Sequence, residues 1–190
     1  LDNVIPRRSK CELRRGFVQQ VTGTGAVESM IAWRGSASGD KLFACAGANI
    51  YETTSQGSLG AAVYASAVNA RWHYTNFSND AGRYAIAANA ANTPQKYDGS
   101  AFGDLTITGS SGSITLDPTD LTYPMLHKRR LWFIENGTLR TWFLQTNAIQ
   151  GAATLLDLGP IFYKGGVLVA QGTWSLDGGA GMDDVAVFYT

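Results

Sequence analysis

The side chains that could carry chemistry are few, and most of them lie in turns or among apolar residues. The two histidines, His73 and His127, each fall within an apolar, strand-like stretch. The sequence contains no GxSxG turn, no phosphate-binding glycine loop and no CxxC pair. Asp177, Asp183 and Asp184 could pair as carboxylates for glycoside hydrolysis, but they flank a glycine-rich turn, where aspartate commonly bonds the backbone. The sequence therefore predicts a protein that is not an enzyme.

The same turn raises the question of a calcium site. The stretch GGAGMDDVA (178–186) matches the nonapeptide GGxGxDxUx of calcium-binding β-rolls, and aspartate supplies the hard oxygen ligands that Ca²⁺ prefers. Those rolls need consecutive copies, because neighbouring turns share each ion, and this chain has one copy. We therefore expect no cofactor and an ordinary hairpin loop, with Asp177, Asp183 and Asp184 as weak calcium candidates.

Two clusters of basic residues remain. One opens the segment HKRRLWFIENGTLRTWFL (127–144), and the other lies in IPRRSKCELRRGF (5–17). The first could be a solvated strand edge and the second an extended surface arm, or each could contact a neighbouring protein or phosphates. The chain has 15 basic and 15 acidic residues, so its overall field does not favour nucleic acid. The N-terminal cluster also lacks the aromatic interleaving of single-strand binding surfaces apart from Phe17. We favour protein contacts for all seven candidates: Arg7, Arg8, Arg14, Arg15, Lys128, Arg129 and Arg130.

The composition indicates the elements that must position these residues. The chain of 190 residues has 22 glycines and 11% aromatic residues, and only 16% are charged, which is typical of many short strands joined by tight turns. Dipeptides such as Asp98-Gly99 and Asn136-Gly137 tolerate the positive φ that two-residue hairpin turns demand. No apolar run reaches about 18 residues and no signal peptide opens the chain, so the sequence predicts a soluble protein without membrane contact.

Strand-like segments recur in groups of four. Phe43, Tyr84 and Trp132 hold equivalent places in their groups, 41 and 48 residues apart. Four-stranded units at this period are typical of β-propeller blades. The predicted fold is all-β, an incomplete propeller-like segment over residues 27–190 that follows an N-terminal arm (1–26). Its expected blades are 27–68, 71–108, 121–159 and a partial blade at 167–190.

The cysteines and the chain ends give two smaller expectations. Cys11 and Cys45 could form one bridge, but nothing else resembles a small secreted scaffold, so we expect free thiols. The chain begins at Leu1 and stops within the strand-like VAVFYT, so we expect a segment of a longer polypeptide.

Several of these stretches together resemble a known family. In order along the chain they are LDNVIP, LRRGF, KLFACAGANIYETT, NARWHYTNF, PQKYDGSAF, HKRRLWF and GTWSLDGGAGMDDVAVF. This series is similar to the N-terminal part of tail nozzle proteins of short-tailed phages, also called tail tubular or hub proteins, and of packaged-DNA stabilisation proteins. The resemblance spans nearly the whole chain, and its motifs are strand and turn patterns without catalytic identity.

The resemblance implies a function that the residues alone do not specify. It implies a structural virion protein, assembled in the host cytoplasm as a ring that is usually a hexamer. Such a ring lies below the portal and adaptor, contacts other tail proteins, and surrounds the channel through which genomic DNA leaves the capsid without sequence-specific binding. No catalytic residues are implied.

Two other classes stay open. A carbohydrate-binding propeller for host-surface recognition would use exposed aromatic side chains, and five tryptophans are available: Trp33, Trp72, Trp132, Trp142 and Trp174. Four of the five lie within strand patterns beside other apolar residues, which favours a core position. A propeller sialidase is the third class, and the arginine–tyrosine–glutamate constellation it would need is absent.

Overall fold

A computed structural model describes residues 4–6, 8–13, 16, 18–23, 25–35, 39–177 and 182–190. The described chain is nearly all-β, and three four-stranded antiparallel sheets follow one another as propeller-like blades. In each blade the strands, here A to D, lie side by side in chain order. Blade 1 comprises Val27–Trp33, Lys41–Ala46, Asn49–Glu52 and Ala62–Ala65; blade 2 comprises His73–Asn79, Gly82–Ala88, Gln95–Tyr97 and Phe102–Asp104; blade 3 comprises Leu121–His127, Arg130–Glu135, Arg140–Phe143 and Thr154–Asp157.

Two hairpins and several short elements complete the described chain. The terminal hairpin pairs Ala170–Asp177 with Met182–Tyr189, and the N-terminal hairpin pairs Val4–Pro6 with Cys11–Leu13. A small hairpin, Ser110–Ser111 with Ile114–Thr115, and a 3₁₀ turn at Pro118–Asp120 lead into blade 3. The predicted strand groups are therefore observed, whereas the strands between residues 4 and 22 were not predicted.

Both faces of the middle strands are buried because the blades stack face to face. In strand B of blade 2, Ala85 and Ala87 pack toward blade 1, while Tyr84, Ile86 and Ala88 pack toward blade 3. Alternate side chains of a strand point to opposite faces, so a strand between two sheets must be apolar at every position. The run YAIAA satisfies this requirement.

The same arrangement recurs at the next junction. Leu131 and Phe133 of blade 3 face blade 2 and are fully buried, whereas Ile134 faces the terminal hairpin. The ring of Trp132 stacks on Phe143 at 4.5 Å and lies 6.3 Å from Phe188 of the hairpin. Phe43, Tyr84 and Trp132, which were predicted to be equivalent, therefore each point toward the next sheet along the chain.

The terminal hairpin is fastened to blade 3 by polar contacts along strand A. The amide of Gln171 donates to the carbonyl oxygen of Tyr123 at 2.7 Å, and the hydroxyl of Thr173 donates to that of Leu126 at 3.0 Å. Tyr123 lies at a bulge in strand A with φ +46°. The bulge places its carbonyl oxygen within reach of Gln171, so a strained backbone position and an amide together hold the hairpin.

Short parallel strands link successive parts of the chain. Val21–Thr22 pairs with Gly57–Ser58, and Ile107–Thr108 pairs with Gly151–Ala152, in each case between strands C and D of a blade. We call Val21–Thr22 and Ile107–Thr108 the straps. Each strap is followed by a glycine that approaches its blade closely, since a Cβ on Gly23 or Gly109 would lie 2.7 Å from Leu59 or 2.6 Å from Trp142.

The turn prediction was wrong in part. Asn136-Gly137 and Asp98-Gly99 do not form two-residue turns, because strand C of blade 3 begins only at Arg140 and strand D of blade 2 only at Phe102. Only the glycine of each dipeptide has positive φ, +71° and +102° respectively. The hairpin loops are therefore four residues long, a length that the dipeptides alone do not specify.

Both cysteines are free, as predicted. Cys11 is exposed, whereas Cys45 is fully buried between blades 1 and 2. Burial raises the pKa of the Cys45 thiol to about 11, because an apolar surrounding disfavours the thiolate.

Truncation of a side chain between two blades is expected to weaken the whole stack. Phe133→Ala removes a fully buried ring from the junction of blades 2 and 3, so it should lower the free energy of unfolding by about 3–5 kcal/mol. Urea unfolding followed by tryptophan fluorescence measures this change. Tyr163→Ala, at a position that is 86% exposed, is the control and should leave the midpoint unchanged. Equal midpoints for both variants would contradict the stacking.

The two thiols are expected to react at very different rates. At pH 8 a disulfide reagent should modify Cys11 at once and Cys45 only after unfolding, because the thiolate is the nucleophile. Mass spectrometry counts the modified thiols, and Cys11→Ser should abolish the fast phase. Rapid modification of both thiols in the native protein would show that the cleft between blades 1 and 2 opens.

Candidate assembly surfaces

The basic cluster of blade 3 forms a strained hairpin turn. His127 pairs with Arg130, so Lys128 and Arg129 are the two central residues between strands A and B. Their φ values are +46° and +60°. Two consecutive positive φ values define the primed turn that Asn-Gly usually provides, and side chains larger than glycine are strained there. The charge is therefore carried by the tip of the turn, a placement that the sequence pattern did not predict.

The three basic side chains have different surroundings. The ammonium of Lys128 lies 3.1 Å from Oδ1 of Asp183 in the terminal hairpin, and both groups are largely exposed. This hydrogen bond and the charge of Lys128 hold the pKa of the Asp183 carboxyl below its usual range. The guanidinium of Arg130 lies over the ring of Phe143, 5.6 Å from its centroid. Arg129 is exposed and makes no ion pair within the described ranges, so it is the side chain of the three that is available to a partner.

The calcium candidates serve other contacts where their side chains are described. Asp183 is paired with Lys128, and Asp184 accepts a hydrogen bond from Ser175 at 2.6 Å. The side chain of Asp177 and residues 178–181 lie outside the described part of the structure. Among the described residues, no three side chains of histidine, cysteine, aspartate or glutamate come together as a metal site.

Both histidines pack as structural residues. The Nδ1 atom of His127 lies 3.2 Å from the hydroxyl oxygen of Thr173, and the ring of His73 stacks on that of Tyr123 with centroids 3.7 Å apart. Burial lowers the pKa of both imidazoles, since desolvation disfavours the charged form. Each ring lies at a junction between a blade and the next sheet.

The N-terminal cluster is described only in part. Arg8 is exposed, and Lys10 lies 2.7 Å from Oε1 of Glu12. Arg7, Arg14 and Arg15 lie outside the described residues. Nothing in the described contacts assigns these arginines to a surface of this chain.

The tryptophans divide into core and surface. Trp33, Trp72 and Trp142 are at most 3% exposed, Trp132 is half-buried, and Trp174 of the terminal hairpin is 59% exposed. A cleft of about 880 Å³ opens beside Trp33 and is lined by polar groups that include Arg83, Lys96 and Asp98. The indole nitrogen of Trp33 is already bonded to the carbonyl oxygen of Arg83 at 3.2 Å, so this cleft has no exposed aromatic platform.

The outer face of blade 1 is an uncovered apolar surface. Ile31, Phe43 and Ile50 face blade 2, so the alternate residues of the same strands face away from it. On this outer face Val27 and Met30 are 55% and 50% exposed. The corresponding faces of blades 2 and 3 are covered by a neighbouring sheet. Among the described residues no sheet packs on this face of blade 1, where Ala44 and Ala46 of strand B are 7% exposed and the neighbouring Met30 and Val27 are open to solvent.

The outer face of the terminal hairpin is uncovered in the same way. Gln171 and Thr173 bond to blade 3, so Trp174 points to the opposite side. Trp174 pairs with Val185, and Tyr189 on the same side is 50% exposed. The stack of sheets therefore has an open apolar face at each end, which is typical of a surface that another sheet covers.

Comparison of the chain with protein families, curated proteins and solved structures gave no match. No helix in the described ranges is long and apolar enough to cross a membrane. We did not predict the two open faces from the sequence. One signal was available: the first and last strand groups are as apolar as the middle ones, which are buried on both faces.

Relief of strain at the basic turn should stabilise the protein. In Lys128→Asn/Arg129→Gly the turn acquires residues that adopt positive φ readily, so the free energy of unfolding should rise by about 1–2 kcal/mol. The exposed Lys128–Asp183 pair should offset little of this gain.

Gly137→Ala is the matched control for that turn. Its φ is +71°, and an added Cβ would meet no atom within 4 Å, so backbone strain alone should lower stability by about 1 kcal/mol. Thermal unfolding of both variants measures the difference. A destabilised Asn-Gly variant would mean that the basic side chains themselves hold the turn.

Proposed function

We propose that this protein is a structural subunit of a short-tailed phage tail, of the nozzle or hub type. In this function copies of the chain assemble as a ring, with six subunits as the expected number, around the channel through which DNA leaves the capsid. The adaptor and portal are its expected neighbours on the capsid side, and the virion is its expected location. The proposal combines the family resemblance of the sequence with the two open sheet faces.

The open faces are the observation that carries the proposal. A subunit that ends in one uncovered sheet face at each end can join copies head to tail, and head-to-tail contacts close into rings. The exposed groups of these faces, Met30 and Val27 at one end and Trp174 and Tyr189 at the other, are the apolar and aromatic anchors that central interface residues provide. A monomeric protein gains nothing from keeping them.

The distribution of charge supports a DNA channel lined by blades. Residues 1–26 carry five basic and two acidic side chains, whereas residues 27–190 carry ten basic and thirteen acidic ones. Each phosphate that a basic group neutralises adds affinity through counterion release. A wall of net negative blades lets a duplex slide, and the basic arm and the exposed Arg129 are left for protein contacts.

A carbohydrate-binding propeller is the second candidate. The exposed indole of Trp174 favours it, because aromatic faces stack on sugar rings. Three of the other four tryptophans are core residues, and this arrangement leaves a single exposed platform. The two functions differ in a glycan-array screen, where a nozzle subunit should bind no glycan.

Charge reversal at the basic turn tests the proposal directly. Arg129→Glu/Arg130→Glu should reduce ring assembly, measured by native mass spectrometry and electron microscopy, while circular dichroism stays unchanged. Lys164→Glu, on an exposed side chain without a described ion pair, is the control for the single reversal Arg129→Glu, with the same change in net charge, and should assemble normally.

DNA binding is measured for the same variants across a range of salt concentrations. A tail subunit should bind duplex DNA weakly in every variant, because its positive charge is used in protein contacts. Unchanged assembly combined with a collapse of DNA affinity in Arg129→Glu/Arg130→Glu would make the turn a phosphate site and would contradict the proposal.

A further inference from the structure

We propose that the N-terminal hairpin of one copy completes the fourth blade of a second copy. In this arrangement Val4–Pro6 and Cys11–Leu13 of one chain become strands C and D beside the terminal hairpin of the other. The inference rests on the proposed head-to-tail assembly and identifies the segment that joins the copies.

The terminal hairpin has the strands that a blade begins with and lacks those that it ends with. Ala170–Asp177 and Met182–Tyr189 take the places of strands A and B, since the first of them lies against strand A of blade 3. In each complete blade the outer edge of strand B bonds to strand C. No described strand bonds to this edge of Met182–Tyr189, and long unpaired edges are templates for pairing with another chain.

The N-terminal hairpin has the geometry of the missing strands. Strands C and D of blade 2 are three residues each, separate at a four-residue loop, and pair as Gln95 with Asp104 through Tyr97 with Phe102. The N-terminal hairpin has three residues, a four-residue loop and three residues, and it pairs Val4 with Leu13 through Pro6 with Cys11. Length, loop and register are therefore the same. An isolated two-stranded hairpin is only marginally stable in water, so it gains by joining a sheet.

The strap that follows gives a second, independent correspondence. After strand D of blade 2, the chain enters the strap Ile107–Thr108, which bonds between strands C and D of blade 3. After the N-terminal hairpin, the chain enters the strap Val21–Thr22, which bonds in the same way to blade 1. The backbone hydrogen bonds of Gly57 to Gln20 and of Gly151 to Thr106 are equivalent. The N-terminal hairpin therefore has the same position relative to blade 1 as strands C and D of blade 2 have relative to blade 3.

Burial at the straps points to a missing sheet. Ile107 is 1% exposed because blades 2 and 3 enclose it, whereas its counterpart Val21 is only half-buried. A fourth blade from a second copy, placed on the outer face of blade 1, would enclose Val21 in the same way. The same contact would bring together the two open faces of the stack.

The charges of the two hairpins are complementary at the rim where they would meet. Loops between strands A and B and between strands C and D lie at one rim, as the cleft lined by both Asp80 and Asp98 of blade 2 shows. In the completed blade this rim would bring Arg8 and Lys10 next to Asp183 and Asp184. The basic loop and the acidic residues would belong to different copies. Their attraction therefore favours contact between the N-terminal hairpin of one copy and the terminal hairpin of another.

A second copy is the occupant because the two hairpins of one chain do not pair with each other in the described structure. The N-terminal hairpin precedes blade 1 along the chain, the terminal hairpin follows blade 3, and each forms a separate two-stranded sheet. The described strands therefore complete three blades, and the four strands of the two hairpins belong to no complete blade. Exchange of the hairpin between successive copies would complete the fourth blade of each, and head-to-tail exchange of this kind is compatible with the proposed ring.

Cross-linking between two different chains tests this pairing. The register of blade 2, with Ile86 opposite Lys96, places Ile5 opposite Ala186 across the new contact. One chain carries Cys11→Ser and Ile5→Cys, and the other carries Cys11→Ser and Ala186→Cys. After mixing and mild oxidation, a disulfide between the two chains is expected, because directly opposed residues have the Cα separation that a disulfide requires.

Two matched variants control the experiment. Val169→Cys, on an exposed residue outside the proposed edge, replaces Ala186→Cys and should give no disulfide with Ile5→Cys. Val4→Cys with Val187→Cys is a second opposed pair in case the first substitution impairs folding. Asp184→Lys should slow cross-linking roughly two- to fivefold, the range of exposed ion pairs, and Arg8→Glu on the other chain should restore the rate.

The outcomes separate this inference from the proposed function. Oligomers on native mass spectrometry without either opposed disulfide would overturn the hairpin exchange and leave ring assembly standing. A monomer at every accessible concentration would overturn both. A disulfide that forms only when both cysteines are on one chain, and never between two chains, would mean that the hairpin closes on its own copy and would overturn the exchange.

Discussion

Every part of this structure depends on the burial of strand B between two sheets. A sheet that is covered on both faces cannot alternate polar and apolar residues, so its middle strand is apolar throughout. Fully buried residues such as Ile86 and Phe133 lie in these strands, and each contributes to a different junction. The blades therefore stabilise one another, and among the described residues the outer faces of blade 1 and of the terminal hairpin are left without a sheet packed on them.

This constraint moves the polar chemistry to the rims. A charged side chain is stable in a buried position only when it is paired and hydrogen-bonded, and the buried Glu135 illustrates the rule. Its carboxylate accepts hydrogen bonds from the guanidinium of Arg140 and from the indole nitrogen of Trp142. Both oxygens are therefore bonded within blade 3 and are not available to another molecule. The groups that remain free are those of the turns, such as Arg129, and they are suited to contacts with other molecules.

The sequence was informative where a local rule decides the outcome. Groups of strand-like segments were recognisable, because two-sided burial produces apolar runs and turns interrupt them. The role of Lys128 and Arg129 was not predictable, since Asn136-Gly137 a few residues later has the stronger local preference for a two-residue turn. The pairing of His127 with Arg130 decides this turn, and the register of strands follows from packing on both faces. The straps were missed for a similar reason, because strands of two residues have no periodicity, although Gln-Gly recurs at Gln56-Gly57 and Gln150-Gly151.

The straps also indicate that the repeating unit is two blades and not one. The junction of blades 1 and 2 holds no strap and is filled by rings, with Phe43 and Tyr97 4.7 Å apart. The junction of blades 2 and 3 holds a strap, and Leu105, Ile107 and Leu116 fill the space. A strap therefore occupies every second junction, and its glycine is fixed by close contact with the blade behind it. The strap Val21–Thr22 has the same bonds but no sheet on its other side among the described residues. In the proposed ring, junctions that alternate in this way would close only with an even number of blades.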